Sequence, residues 1–247
     1  MNKWTMTLSV AAVAVAAGTV SAATVTYNGQ IGAWGPTSNG GPFAFTPNGF
    51  GAVGLGLHQA GAGRFVTFCL EKNELLSPGN PYDVAIATSA VLGGVAGGNP
   101  DPLDARTAWL YQTFMSGLLG STGFTYSTGT ATQAVKDSGD ALQAVIWYVE
   151  QEISDFSAYN AAVQTLAGNM LTAAAAAVAG SWGNSIHDVR VLNLFDYSYF
   201  DPTLVNGVPR GYNRQSQLVI LPLPGGAGMA TVGMAGLLGL GVIRRRR

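Results

Sequence analysis

The chain has little cysteine, histidine and charge. Its 247 residues include one cysteine and two histidines, and only 10% are charged, against about 25% in an average soluble domain. A single cysteine excludes an internal disulfide and any zinc site built from cysteine pairs. The histidines, His58 and His187, are too far apart in the sequence for a recognisable metal-ligand spacing. We therefore expect no metal and no cofactor.

The few charges are unevenly distributed. Lys3 and Arg244–Arg247 lie at the two ends, and all 13 acidic residues lie between them. The intervening segment has 7 positive and 13 negative residues, a net charge of −6. A nucleic-acid-binding domain would need a basic face, so we expect no nucleic-acid partner.

Hydrophobic residues and glycine are abundant instead. Hydrophobic side chains make up 48% of the chain, and 34 residues are glycine. A disordered chain would be poor in apolar residues, so this composition indicates a folded protein. A surface built from neutral polar residues is typical of an exported protein.

The N-terminus, residues 1–22, predicts a secretory signal peptide. Lys3 precedes an apolar run from Met6 to Ala17, and Val20-Ser21-Ala22 forms a small-residue cleavage site. The alternative is an N-terminal membrane anchor, but this run is shorter than the roughly 20 residues needed to span a bilayer. We expect cleavage after Ala22 and export across the inner membrane.

The C-terminus, residues 221–247, predicts an anchor. Pro222, Leu223 and Pro224 precede the segment 225–243, which has 19 residues without a charge. A helix of that length spans about 29 Å, the thickness of the hydrocarbon layer. The basic residues that follow, Arg244, Arg245, Arg246 and Arg247, would stay on the cytoplasmic side.

This order of proline motif, apolar helix and arginine cluster resembles the PEP-CTERM sorting tail of Gram-negative bacteria. The resemblance implies an exosortase-type processing enzyme as a partner, and a protein that is membrane-anchored or released to the cell surface or extracellular matrix. The motif here is Pro-Leu-Pro rather than Pro-Glu-Pro, which leaves the processing enzyme open. The alternative is a permanent single-span membrane anchor.

Residues 23–220 predict one α+β domain, an antiparallel sheet or sandwich with an inserted segment of about three helices. Glycine-rich residues 35–63 predict turns with at most a short hairpin. Strands are predicted at 24–31, 64–71, 81–88, 188–195 and 215–221, with the second and third as neighbours. Helices are predicted from 101 to about 119, from Ser138 or Asp140 onward, and at 157–178. We expect the alanine run 173–177 to pack closely against another helix.

Most familiar catalytic patterns are missing from this domain. The sequence contains no Gly-x-Ser-x-Gly elbow and no phosphate-binding loop. The neighbouring acids Glu71 with Glu74, and Glu150 with Glu152, could suggest a glycosidase, but adjacent carboxylates are common on surfaces. We expect no turnover enzyme.

Cys69 and Gln143 are the strongest candidate site. The strand Phe68-Cys69-Leu70 is followed by a helix with Leu142-Gln143 and Ile146-Trp147. Over residues 64 to about 152 this order resembles the thioester domains of Gram-positive surface adhesins, including a Thr-Ala-Trp-Leu-Tyr helix at 107–111 between the two motifs.

The resemblance implies a buried thioester between the Cys69 sulfur and the Gln143 side chain. A partner amine, such as a lysine, would displace the thiol in a single-use reaction and leave an isopeptide bond. Glu71, two residues from Cys69, would share its face of the strand, as would Thr67. The alternative is an inert pair, in which Cys69 is a small buried residue and the protein is a structural or carbohydrate-binding surface protein.

Overall fold

The computed structural model describes residues 23–31, 40–48, 63–125, 131–196, 201–205, 208–210 and 213–220. The predicted signal peptide, the Pro222-Leu223-Pro224 motif, the apolar tail segment, Arg244–Arg247 and His58 lie outside these residues. Within them the fold is α+β, as predicted, with strands before and after a helical segment.

Ten strands and three α-helices follow one another along the described chain. The elements are β1 Thr24–Gln30, β2 Phe43–Asn48, β3 Phe65–Thr67, β4 Pro81–Ala87, β5 Ser89–Ala90, β6 Asp101–Pro102, α1 Ala105–Met115, α2 Gln133–Val149, α3 Ala161–Ala179, β7 Val189–Asp196, β8 Asp201–Val205, β9 Val208–Arg210 and β10 Asn213–Ile220. A short 3-10 helix, Leu119–Thr122, lies between α1 and α2.

Six strands form one antiparallel sheet in the order β10-β7-β4-β1-β2-β3. Its two outer strands also meet. Cys69, two residues beyond β3, pairs with Gln217 of β10, and Leu70 N donates to Ser216 O at 3.0 Å. The sheet therefore curls until its edges are joined, and Cys69 lies at that junction.

The predicted pairing of strands 64–71 and 81–88 is wrong. β3 pairs with β2, and β4 pairs with β1 and β7. The sequence did not predict β2 as a sheet strand, because Gly, Pro and Asn around it are typical of turns. Phe43 and Phe45 are nevertheless buried there, and Phe45 stacks on Phe65 of β3.

The helix starts also differ from the predicted ones, because several side chains could serve as caps. Asp104, rather than Asp101, caps α1, and its side chain accepts a hydrogen bond from Arg106 N. Thr132 caps α2 well before Ser138 or Asp140, and Asn160 caps α3, so Ser157 precedes that helix.

Two apolar clusters share the core. The larger lies between the three helices and one face of the sheet, and it includes Phe68, Leu70, Leu142, Val145, Ile146 and Val149. The smaller cluster holds Cys69 and Trp147 together with Val25, Tyr27, Phe43, Phe45, Phe65, Tyr82, Leu192, Leu194 and Val219. Cys69 and its two chain neighbours therefore face different clusters, as alternation along an extended chain requires.

Helix α3 is apolar but only partly covered. Its buried residues are Val163, Ala167, Met170 and Ala174, and it contacts α1 and α2. Of the alanine run 173–177, only Ala174 is buried, so the prediction that the run packs closely is wrong. By length and composition alone, α3 could also cross a membrane, a test that core helices pass as well.

Candidate functional site

Gln143 is the eleventh of the 17 residues of α2, and so does not lie in the first turns, where a helix start at Ser138 or Asp140 would place it. It is only 2% exposed, so its side chain lies inside the core. Trp147 lies one helical turn further on the same face and is 1% exposed. A neighbouring side of α2 presents Leu142, Val145 and Ile146 to the larger cluster. Helix α2 is thus buried on two sides, which holds the Gln143 side chain against Cys69.

Cys69 and Gln143 are in direct contact. The Gln143 Oε1 atom lies 3.3 Å from Cys69 Sγ and accepts from Cys69 N at 3.2 Å. Gln143 Nε2 donates to Cys69 O at 2.8 Å. A third donor, Gly41 N, approaches the same Oε1 at 2.9 Å. These partners fix the amide with its oxygen toward two backbone N–H groups and its nitrogen toward a carbonyl.

The thiol is held in its protonated form. Complete burial raises the pKa of Cys69 well above its usual value, and the charge of Glu71 raises it further. The N–H groups of Gly41 and Cys69 act in the opposite direction and lower this pKa. Attack by the sulfur therefore requires a proton acceptor nearby.

Glu71 is a buried carboxyl close enough to Cys69 to influence its charge. Its Oε2 accepts from Ser216 N at 2.6 Å, and within the described chain its Oε1 has no hydrogen-bond partner. Burial raises the pKa of Glu71 to about 8, with a further contribution from the charge of Glu74. A carboxyl with this pKa exchanges protons readily near neutral pH.

A cleft of about 840 Å³ opens beside the contact between Cys69 and Gln143. Gly40, Gln143 and Trp147 line it, and Tyr148 and Tyr159 contribute aromatic rings. The charged residues that line it are Asp140, Glu152, Asp155 and Lys72. With three carboxylates and one ammonium, this cleft favours a cationic ligand. It gives a route from solvent to the otherwise buried Gln143 side chain.

The acid pair Glu150 and Glu152 has structural partners. Glu152 accepts from Val95 N at 2.9 Å and Lys72 N at 2.8 Å, which ties the loop before α1 to the chain after Cys69. Glu150 is 5% exposed and accepts from Asp104 N at the start of α1. These contacts give both carboxylates a role in holding loops and do not support a glycosidase pair.

The remaining sequence candidates occupy ordinary positions. Phe68, Leu70 and Ile146 are buried in the larger cluster and position the Cys69 and Gln143 backbones. His187 is exposed, with its ring centre 4.0 Å from that of Trp182. In the part of the chain that the structure describes, no group of three or more His, Cys, Asp or Glu residues is placed to hold a metal ion.

Sequence reasoning missed the segment that covers Gln143. Residues 40–42, Gly40-Gly41-Pro42, lie directly before β2 and supply the third donor to the amide oxygen. In the sequence this segment is marked by a glycine pair before a proline. That pattern predicts a turn, but it does not predict which residues the turn contacts.

The chain was compared with protein-family models, curated proteins and solved structures. No family model matches it, and no curated protein or solved structure matches it either.

Proposed function

We propose that Cys69 and Gln143 form an internal thioester, and that the protein uses it to attach covalently to an amine on a partner surface. The observation that carries the proposal is the contact of 3.3 Å between Cys69 Sγ and Gln143 Oε1. These two atoms belong to residues 74 positions apart, on different elements. They meet in a core from which water is largely excluded.

Formation of the thioester from the thiol and the carboxamide needs no cofactor. The Cys69 sulfur attacks the side-chain carbonyl carbon of Gln143, a C–S bond forms, and the C–N bond breaks. The thiol proton leaves on the departing amide nitrogen, so ammonia is released. Burial of Cys69 (0% exposed) and Gln143 (2% exposed) then protects the thioester from hydrolysis.

The second step uses the cleft. A primary amine, such as a lysine side chain of a partner, enters beside Tyr148 and Asp155, loses a proton and attacks the thioester carbon. The C–S bond breaks, the sulfur takes up a proton, and an amide to Gln143 remains. Each chain reacts once, so the protein is a covalent adhesin or matrix cross-linker and not a turnover enzyme.

The predicted signal peptide and C-terminal tail support a location outside the cell for this chemistry. We propose that the signal peptide directs export and that the C-terminal segment inserts in the inner membrane. An exosortase-type enzyme would then process the chain at the Pro222-Leu223-Pro224 motif. Processing would release the domain to the cell surface or extracellular matrix.

A second candidate is a non-covalent structural or carbohydrate-binding surface protein. The observation that favours it is that both the oxygen and the nitrogen of the Gln143 amide are hydrogen-bonded, as a purely structural buried glutamine also needs. The rings of Tyr148 and Tyr159 beside cleft carboxylates would suit a glycan.

Methylamine labelling separates the two candidates. A thioester is an activated acyl group, so the covalent protein should gain one methylamine at Gln143 and expose one thiol. An inert pair should gain neither, because an ordinary glutamine amide does not react with amines at neutral pH. Cys69→Ser is the matched control, since it keeps the size of the side chain and removes the sulfur.

A further inference from the structure

Gly40 and Gly41, the two glycines before Pro42, pack closely on Gln143 and leave little space for a side chain. A Cβ atom on Gly40 would lie 2.4 Å from Gln143 Cγ and 3.0 Å from Trp147 Cη2. A Cβ on Gly41 would lie 3.1 Å from Thr67 O and 3.2 Å from Gln143 Oε1. The two glycines therefore let the backbone itself reach the carboxamide.

The segment is held by two adjacent residues at the end of β1. Gln30 Nε2 at the end of β1 donates to Gly40 O at 2.5 Å, and Ile31 N donates to Pro42 O at 3.1 Å. Phe43 then begins β2, which pairs with β1 and β3. The N–H of Gly41 is thus fixed in space before any reaction begins.

Two backbone N–H groups from separate segments converge on one oxygen. Gly41 N lies 2.9 Å and Cys69 N 3.2 Å from Gln143 Oε1. Catalytic donors to a developing oxyanion lie about 2.7–3.1 Å from its position. The first distance meets that range, and the second lies just outside it in the uncharged amide. Both groups are buried, where water cannot weaken the interaction.

We infer that the N–H groups of Gly41 and Cys69 form an oxyanion hole for the side-chain carbonyl of Gln143. This inference rests on the proposed thioester chemistry. When the sulfur attacks, the C=O π electrons move to Oε1, and the two N–H groups stabilise the negative charge. As the intermediate collapses, the electron pair on Oε1 re-forms the C=O bond and the C–N bond breaks, and the nitrogen leaves as ammonia with the thiol proton.

The same two donors serve the second reaction. Attack of an amine on the thioester again places negative charge on Oε1, and collapse of that intermediate breaks the C–S bond. One fixed pair of N–H groups therefore lowers the barrier for forming the thioester and also for its reaction with a partner amine. In enzymes, the loss of one oxyanion-hole donor slows catalysis by about 10²–10³-fold.

The test compares graded glycine substitutions in the full-length chain. Gly40→Ala inserts a methyl group against Gln143 Cγ, Gly41→Ala keeps the N–H but crowds Oε1, and Gly168→Ala adds a methyl where nothing lies within 4 Å. The rate of methylamine incorporation is followed by intact mass, with folding checked by circular dichroism. We expect a reduction of at least 10-fold for Gly40→Ala, a smaller one for Gly41→Ala and none for Gly168→Ala.

A spectroscopic measurement covers the case in which Gly40→Ala does not fold. The thioester carbonyl stretch of wild-type protein labelled with 13C at the glutamine side chain reports hydrogen bonding to Oε1 directly. We expect a frequency at or below that of a small alkyl thioester in water. A frequency equal to that of the same thioester in hexane would show that no donor reaches the oxygen and would overturn the inference.

The outcomes separate this inference from the function on which it rests. A wild-type chain at its full sequence mass, inert to methylamine, overturns both. A wild-type chain that carries the thioester, together with a folded Gly40→Ala variant that reacts at the wild-type rate, overturns the oxyanion hole alone.

Discussion

The carboxamide oxygen of Gln143 lies 3.3 Å from the sulfur of Cys69. One residue is in the middle of helix α2, and the other is at the junction where the outer strands of the sheet meet. Both are buried, and the cleft beside them contains the side chain of Gln143 in its lining. We propose that this pair reacts with a partner amine that enters through the cleft.

Ile146→Ala tests the packing that places α2. Ile146 is completely buried, so the substitution should lower the free energy of unfolding by about 2–5 kcal/mol. Urea denaturation measures the loss. Ile86→Ala is the matched control, because Ile86 is 41% exposed, and it should cost clearly less. A loss below about 1 kcal/mol at Ile146 would contradict the burial of this side of α2.

Glu71→Gln tests the buried carboxyl beside the thiol. The pKa of Glu71 rises from 4.5 to about 8 in the folded protein, so the folded state binds the proton more tightly than the unfolded state. Its contribution to stability is therefore present below pH 4.5 and is lost as the pH rises toward 8. The groups whose charges couple to it are Cys69 and Glu74.

The measurement is the urea midpoint at several pH values across that window. We expect the wild-type midpoint to fall with rising pH and the Glu71→Gln midpoint to fall less. Glu150→Gln should remove a similar part of the dependence, because burial raises the pKa of Glu150 to about 8 as well. Identical pH profiles for wild type and Glu71→Gln would contradict the assignment.

Asp155→Asn tests whether the cleft attracts cations. Methylamine is a cation at neutral pH and hydroxylamine is neutral, yet both attack thioesters. Removal of the Asp155 charge should slow methylamine severalfold and leave hydroxylamine nearly unchanged. Asp188→Asn removes the same charge outside the residues that line the cleft and should affect neither rate. Equal slowing of both amines would indicate a structural effect instead.

Deletion of residues 222–247 tests the predicted anchor. The uncharged segment 225–243 is long enough to span a bilayer, so the full-length chain should fractionate with the inner membrane. The truncated chain should be found in the periplasm or the medium. A truncated chain that remains in the membrane fraction would place the anchor elsewhere.

The sequence predicts the elements with strong local patterns. β-branched alternation and helical periodicity are local signals, so the sequence correctly predicts strands 81–88 and 188–195 and the apolar face of α2. It does not predict strand β2, because β2 lies among Gly, Pro and Asn residues and is stabilised by β1 and β3 on either side. Pairing between distant strands depends on the whole topology, so the neighbour assigned to β4 was wrong.

In the candidate site, too, the sequence predicts the residues with a local motif but not the contacts between distant segments. Cys69 and Gln143 were identified from short motifs, and their proximity could only come from the packing of α2 on the junction between β3 and β10. The role of Gly41 could not be predicted, because a backbone N–H has no residue-specific signature. Glu71 was named as sharing a face with Cys69, but its burial follows from β10, whose Ser216 N–H binds it.

The most direct test of the account is the intact mass of freshly purified, exported protein before and after methylamine. The account predicts a mass one ammonia below that of the mature sequence, followed by a gain of one methylamine at Gln143 and one free thiol at Cys69. Cys69→Ala and Gln143→Ala should each abolish the mass deficit and the adduct. A wild-type mass equal to that of the unmodified mature chain, with no methylamine adduct, would contradict the thioester.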